Sequence, residues 1–281
     1  MTIICGSHAI PCAVTTGLIL AGITIDAHAQ TSPQPAEIVP LRAVYNLDFS
    51  PSGPPTGLTG GKGRLTLEFT GSRCTEYRLN RRSDVQLQGT AGPVRVQSES
   101  SATENPDGTR FTFKLTERKN GAVQRQDSVT AQRGADGQVV ATSSRLPGGK
   151  ATLGRGVNFP MFHERLVMTA TTGNAKTFSD TIYNPEIGLS HLEQMNYTFG
   201  PAVTAALPKG HPAAPDALKD KRRQRVLMII KNKADGKQRV REQMTRYDDG
   251  SILTASHVVM DGLQIKASLV SLTLLPKGSC S

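Results

Sequence analysis

From Leu41 onward, apolar and polar residues alternate along the chain. Tyr45, Leu47 and Phe49 share one face of Val44 to Phe49, and Leu65, Leu67 and Phe69 share one face of Arg64 to Phe69. Tyr77 with Leu79, Val85 with Leu87, Val94 with Val96, and Phe111, Phe113 and Leu115 repeat the scheme. Period two sends successive side chains to opposite sides of a strand, so each run predicts a strand with one buried face. The runs are punctuated by Asp107-Gly108, Asn120-Gly121, Asp136-Gly137, Asp235-Gly236, Asp249-Gly250 and Asp261-Gly262. Asn and Asp tolerate positive φ and Gly adopts it without Cβ strain, as tight hairpin loops require. The pattern predicts an all-β antiparallel meander of successive hairpins.

One segment keeps another period. After Phe159-Pro160, the residues His163, Leu166, Val167 and Ala170 follow helical spacing, and Thr171-Thr172-Gly173-Asn174 supplies a stop. This predicts one short helix, plugging an opening or packed on a concave face. Gly200 to Asp220, with four prolines, predicts the longest loop, and strands resume at Val226 and run to Leu275. No sustained repeat or shift in composition marks a boundary, so residues 41–281 read as one domain.

The N-terminus lies outside that pattern. Ala13 to Ile25 is an apolar, small-residue stretch, followed by Asp26 and then Ala27-His28-Ala29, an A-x-A cleavage pattern before Gln30. Residues 1–29 therefore read as a secretory signal peptide, although no Lys or Arg precedes the apolar stretch. Residues 30–40, with Pro33, Pro35 and Pro40, read as a mobile lead-in. The mature chain is therefore expected to be exported from the cytoplasm. Cleavage leaves Cys74 and Cys280 as the remaining cysteines, which in an oxidising compartment read as one disulfide, with two free buried thiols as the alternative.

Composition narrows the class. Charged residues at 20%, 27 Gly and 17 Pro fit neither a coiled coil nor a collagen-like chain, and no apolar run reaches the ~18 residues of a spanning helix. The formal charge of +10 concentrates at Lys219, Lys221, Arg222, Arg223 and Arg225, with Arg239 and Arg241 nearby. Nucleic-acid binding would interleave such cations with stacking aromatics, but aromatics are 5% and the run has none. An anionic lipid, a glycolipid or an acidic protein suits an exported basic chain better. A solvated strand edge protected by charge is the simpler reading of the same residues.

Catalytic motifs do not assemble. His163-Glu164 opens an H-E pair, but the position four after His163 is Val167, which breaks the zinc-protease motif. His191 and Glu193 lack the paired cysteines of a zinc deaminase, and there is no G-x-S-x-G elbow. Gly60-Gly61-Lys62-Gly63 and Gly148-Gly149-Lys150 lack the Ser or Thr of a phosphate loop and read as turns. The histidines read as capping or surface residues. The expectation is a non-enzymatic protein without metal or cofactor.

The strand Leu41-Arg42-Ala43-Val44-Tyr45-Asn46-Leu47 resembles the opening strand of the EipB-like cell-envelope-integrity proteins of the Gram-negative periplasm. So do Gly63-Arg64-Leu65 through Phe69, then Gly71, Cys74, Tyr77 and Leu79, the central Asn158-Phe159-Pro160, and the ending from Ser268-Leu269 through Leu274-Leu275-Pro276 to Cys280. The resemblance implies a β-spiral of about fourteen mainly antiparallel strands, an overlapping and incompletely closed barrel with a helix against the inside. It places Cys74 and Cys280 at the family's disulfide, and implies a non-enzymatic role in envelope integrity. Export, one long-range cystine, the all-β pattern and the missing catalytic motifs add the expectation that the protein acts by binding an envelope component or a partner protein. The proline- and charge-rich segment from Gly200 to Arg225 departs from the family's pattern. A carrier of lipid or lipoprotein acyl chains is the alternative, and an enzyme acting on envelope polymers the third. An apolar concave pocket favours the carrier, and a charged groove favours protein or glycan binding.

Overall fold

A computed structural model describes residues 35–52, 57–144, 149–204, 221–247, 253–260 and 262–278. Within them the alternation becomes fourteen strands: β1 (Leu41–Pro51), β2 (Leu58–Thr70), β3 (Tyr77–Gly89), β4 (Val94–Glu104), β5 (Arg110–Lys119), β6 (Ala122–Arg133), β7 (Val139–Ser143), β8 (Lys150–Gly154), β9 (Thr177–Tyr183), β10 (Leu192–Val203), β11 (Arg223–Asn232), β12 (Gln238–Tyr247), β13 (Leu253–Met260) and β14 (Leu263–Leu274). The helix α1 (Pro160–Thr172) interrupts them where its period predicts. The strands form one sheet in the order β8-β7-β6-β5-β4-β3-β2-β1-β14-β13-β12-β11-β10-β9. All pairings are antiparallel, and the first strand pairs with the last.

The sheet curls into a nearly closed barrel. Just past β8, Asn158 makes a parallel bridge to Ile182 of β9, the far edge of the sheet. Its N–H donates to Thr181 O at 2.9 Å, and its carbonyl accepts from Tyr183 N at 3.0 Å. Between these edges lies α1, with Met161, His163, Arg165, Val167, Met168 and Thr171 all buried. The helix separates two apolar clusters. One holds Tyr45, Phe111, Phe113, Phe159 and Met168, and the other holds Val167, Ile182, Met195, Tyr197, Met228 and Met244.

Among the described residues, Asp107-Gly108, Asn120-Gly121, Asp136-Gly137 and Asp235-Gly236 fall between consecutive strands. Asn120 (φ 51°) and Gly121 (φ 84°) are the two left-handed positions of a two-residue hairpin between β5 and β6. Three expectations change. Gly60-Gly61-Lys62-Gly63 is not a turn but the middle of β2, where a Cβ at Gly61 would lie 2.8 Å from Gln86 O and one at Gly63 2.7 Å from Val85 Cγ2. Glycine is needed there because β3 packs too close for a side chain. Gly200 to Val203 belongs to β10 rather than a loop, reached through a register irregularity between Phe199 and Ala202, and β11 starts at Arg223 rather than Val226. The lead-in is anchored from Pro35: Ala36 N donates to Thr169 Oγ1 at 2.8 Å, and Ile38 is 1% exposed. Gly148, residues 205–220 of the expected loop with Lys219 among them, the Asp249-Gly250 turn, Asp261, Cys280, the proposed signal peptide and residues 30–34 of the lead-in lie outside the described residues.

Candidate functional site

Inside the barrel, between α1 and the inward faces of β1–β3 and β9–β12, is a cavity of 440 Å³. One wall is aliphatic and aromatic, from Ile38, Leu41, Tyr45, Leu67, Phe69 and Leu79. The opposite wall carries Met195, Met228 and Met244 on three adjacent strands. Thioether side chains are unbranched and adapt to irregular apolar shapes. Polar groups enter at Arg81, His163, Glu164, Tyr197, Glu242 and Arg246. An apolar pocket with a few placed polar groups, within the ~300–1,000 Å³ usual for ligand sites, is the geometry of a small-molecule or lipid site.

Each polar group is held from a different element. His163 of α1 makes two hydrogen bonds: a half-buried one from Nδ1 to Asp180 Oδ2 of β9 at 2.7 Å, and a buried one between Nε2 and the Tyr197 hydroxyl of β10 at 2.9 Å. Asp180 also accepts from Asn158 Nδ2 at 3.1 Å and from Thr181 N at 2.8 Å. Both imidazole nitrogens are thus engaged, and the network ties the helix to the closing edge of the barrel. Burial pushes the Tyr197 phenol well above its ordinary range, and the nearby Glu164 carboxylate adds to the shift. The hydroxyl therefore stays protonated as a donor. The reading of His163 as a cap or surface residue is corrected here: it is 3% exposed and central.

The next residue on the helix, Glu164, pairs with both terminal nitrogens of Arg246 from β12. Arg246 is 5% exposed. Arg165 points away from this pair. Its guanidinium donates to Ala36 O at 2.9 Å and Pro106 O at 2.5 Å, and stacks 5.2 Å from the Tyr77 ring centre. It thereby fastens the lead-in over α1.

The basic run lies elsewhere. Among its described members, Arg223 and Arg225 sit on β11 at positions alternating with the inward Gln224, Val226 and Met228, so they face out. Arg222 Nη2 donates to Asn174 Oδ1 at 3.1 Å, and Lys221 and Arg225 are exposed. Arg239 is engaged by Glu193 Oε1 at 2.5 Å, beside His191. None of these cations reaches the cavity wall. Among the described residues, no group of three His, Cys, Asp or Glu side chains could hold a metal ion. No helix there is long and apolar enough to cross a membrane, which says nothing of membrane-spanning strands.

Sequence reading missed Glu164, Tyr197, Glu242 and Arg246 as lining residues. A signal existed on β12, where Val240, Glu242, Met244 and Arg246 occupy one period-two face. Charges on an inward face mark a wall that does more than pack.

The fold and site together define a class: a nearly closed antiparallel barrel with an inner helix and an apolar cavity beside it. The EipB-like family matches residues 32–276, and the chain belongs to it. The chain is 29% identical over 164 residues to the "Cell envelope integrity protein EipB" of Brucella abortus (strain 2308), a match covering 56% of each chain. The match thus spans about half the length of that curated relative. A crystal structure described as a "Beta-barrel-like Protein of Domain of Unknown Function DUF1849" from Brucella abortus superposes with a TM-score of 0.76. It is 20% identical and covers 85% of this chain and 99% of its own, a likeness of fold.

Proposed function

We propose that this protein supports cell-envelope integrity from the periplasm, without catalysing a reaction, by holding an envelope component in its cavity. The observation that carries this reading is the 440 Å³ cavity, walled by aliphatic, aromatic and methionine side chains beside a buried helix. The printed name of the Brucella abortus relative supports the envelope role. The apolar lining favours the carrier of acyl chains over a glycan or protein groove. Lys221, Arg222, Arg223 and Arg225 on the outer face are the proposed contact for an anionic partner, and the same basic run in the sequence adds Lys219.

Cys74 and Cys280 form the proposed disulfide. Cys74 is a half-cystine. The C-terminal tail runs toward it: Leu275 N donates to Pro40 O at 2.9 Å, and a Cβ on Gly278 would lie 3.6 Å from Ser72 Oγ, in the turn that carries Cys74.

Native mass spectrometry of protein purified from the periplasm tests the reading. The expected result is a retained non-covalent mass that a cavity-filling Met244→Trp variant loses, and that variant, at wild-type abundance, fails to restore detergent resistance to a deletion strain. Ligand-free protein together with full rescue by the filled variant overturns it. A reporter fused after residue 40 is expected to be active only beyond the inner membrane. Activity in the cytoplasm removes the periplasmic assignment.

A further inference from the structure

Arg246 lines the cavity and uses its two terminal nitrogens on Glu164. Its third donor, Nε–H, is buried and has no partner. Directly across the β11–β12 ladder is Gln224, also 5% exposed, whose Nε2 is likewise buried and unpartnered. Opposed residues on antiparallel strands share a face, with Cβ atoms about 4.5–5.5 Å apart. That face is the inward one, continuing through Val226 and Met228 on β11 and Met244 on β12. Two adjacent donors without an acceptor are costly when buried, and the cost falls when an acceptor arrives.

The charge at this end of the cavity decides which acceptor. The lining cations are Arg81 and Arg246, and the lining anions are Glu164 and Glu242. Arg81 is paired with Glu186 at 2.6 Å, and Arg246 with Glu164. A carboxylate or phosphate brought to Arg246 would meet a guanidinium already neutralised by Glu164, with that carboxylate beside it. It would lose its hydration without gaining a charge partner. A neutral carbonyl oxygen accepts the same hydrogen bonds with far less desolvation.

Resting on the reading that the cavity holds an envelope component, we propose that the component is an acyl chain in neutral linkage, an ester or amide. Its carbonyl oxygen accepts the Arg246 Nε–H, and its methylenes lie along Met195, Met228 and Met244. Arg246 is then the residue that selects an acylated molecule over a free fatty acid.

The experiment displaces a fluorescent acyl probe from the full chain with four ligands of one chain length: monooleoylglycerol, oleamide, oleate and the hydrocarbon 9-octadecene, which has no acceptor. The ester and the amide are expected to displace the probe at concentrations about five- to tenfold below the hydrocarbon, the factor one buried hydrogen bond supplies. Oleate at neutral pH is expected to be weaker than either. An ester stronger than the amide assigns the ligand to ester-linked lipid, and the reverse order to an amide-linked acyl group. The double variant Glu164→Met/Arg246→Met exchanges the ion pair for apolar groups of similar length, so the barrel is kept, as a thermal melt verifies. It is expected to bind ester and hydrocarbon alike. A purely structural role for Arg246 would leave the ester-to-hydrocarbon ratio unchanged. The inference is overturned if oleate matches the ester, if ester and hydrocarbon bind the wild type equally, if the double variant keeps the preference, or if none of the four displaces the probe. A retained ligand without an acyl chain in the mass spectrum overturns it too, while leaving the envelope-binding reading in place.

Discussion

Glu104 Oε2 accepts the backbone N–H of Met161 at 2.9 Å, joining β4 to the first turn of α1. Its other oxygen accepts from Phe162 N at 2.7 Å. Phe159, the N-cap residue, has no side-chain acceptor, so two of the N–H groups that every helix start leaves open are satisfied from a distant strand. The carboxyl is 1% exposed. Burial raises its pKa to about 8, against the opposing pull of the two N–H groups and of Arg165 and Arg133.

That shift predicts a pH dependence. The folded protein keeps a proton on Glu104 up to about pH 8, whereas the unfolded chain loses it near the ordinary 4.5. The folded state therefore binds more protons across that window, and stability falls as pH rises through it, by up to about 1.4 kcal/mol per pH unit. Denaturant midpoints measured between about pH 5 and about pH 8 are expected to decline in the wild type. Glu104→Gln, which carries no titrating group, is expected to flatten this part of the profile.

Tyr183 gives the opposite kind of test. Its ring packs edge-on to Phe111 with centroids 6.2 Å apart, and it is 0% exposed, but its hydroxyl has no hydrogen-bond partner. Burial raises its pKa, so the group stays neutral. Tyr183→Phe keeps the ring and removes an unpaired polar atom. Thermal unfolding is expected to show no loss, or a gain of about 1 kcal/mol.

Gly71 holds the β2–β3 connection at φ 101°, and a Cβ there would run into the carbonyl oxygen of Glu76. Both the conformation and the overlap oppose a side chain. Gly71→Ala is expected to cost at least about 2 kcal/mol in chemical denaturation. Gly137→Ala, where positive φ is the whole objection because nothing lies within 4 Å, is expected to cost less.

The proposed Cys74–Cys280 bond predicts that either Cys→Ser change destabilises by about 2–5 kcal/mol. The lower part of that range is expected, because two apolar clusters stabilise the barrel independently. Denaturant midpoints with and without reductant check it. An unchanged wild-type midpoint under reduction, or labelling of both thiols in periplasmic protein, rules the bond out.

What the sequence determined by itself is what neighbouring residues settle among themselves. Phe111, Phe113 and Leu115 must share a face once their segment is extended, and all three are buried. Asn120-Gly121 turns a hairpin because both residues accept positive φ. His163 and Val167 lie one turn apart on α1 and are both buried. The tertiary structure decided the rest, because the rest depends on which distant strands become neighbours. Asn158 and Ile182 meet only once the sheet has curled through all fourteen strands. Gly61 and Gly63 read locally as a turn, and only the approach of β3 shows why no side chain fits. Ala202 and Val203 pair with β11 in a stretch with loop-like residues, since a register irregularity at Gly200-Pro201 absorbs the misfit. Glu164 finds Arg246 82 residues away, and Gln224 stands beside it through the β11–β12 register. A cavity wall assembled from α1 and seven strands has no local periodicity to announce it. Curvature and register, set by the packing of the whole sheet, bring its donors together.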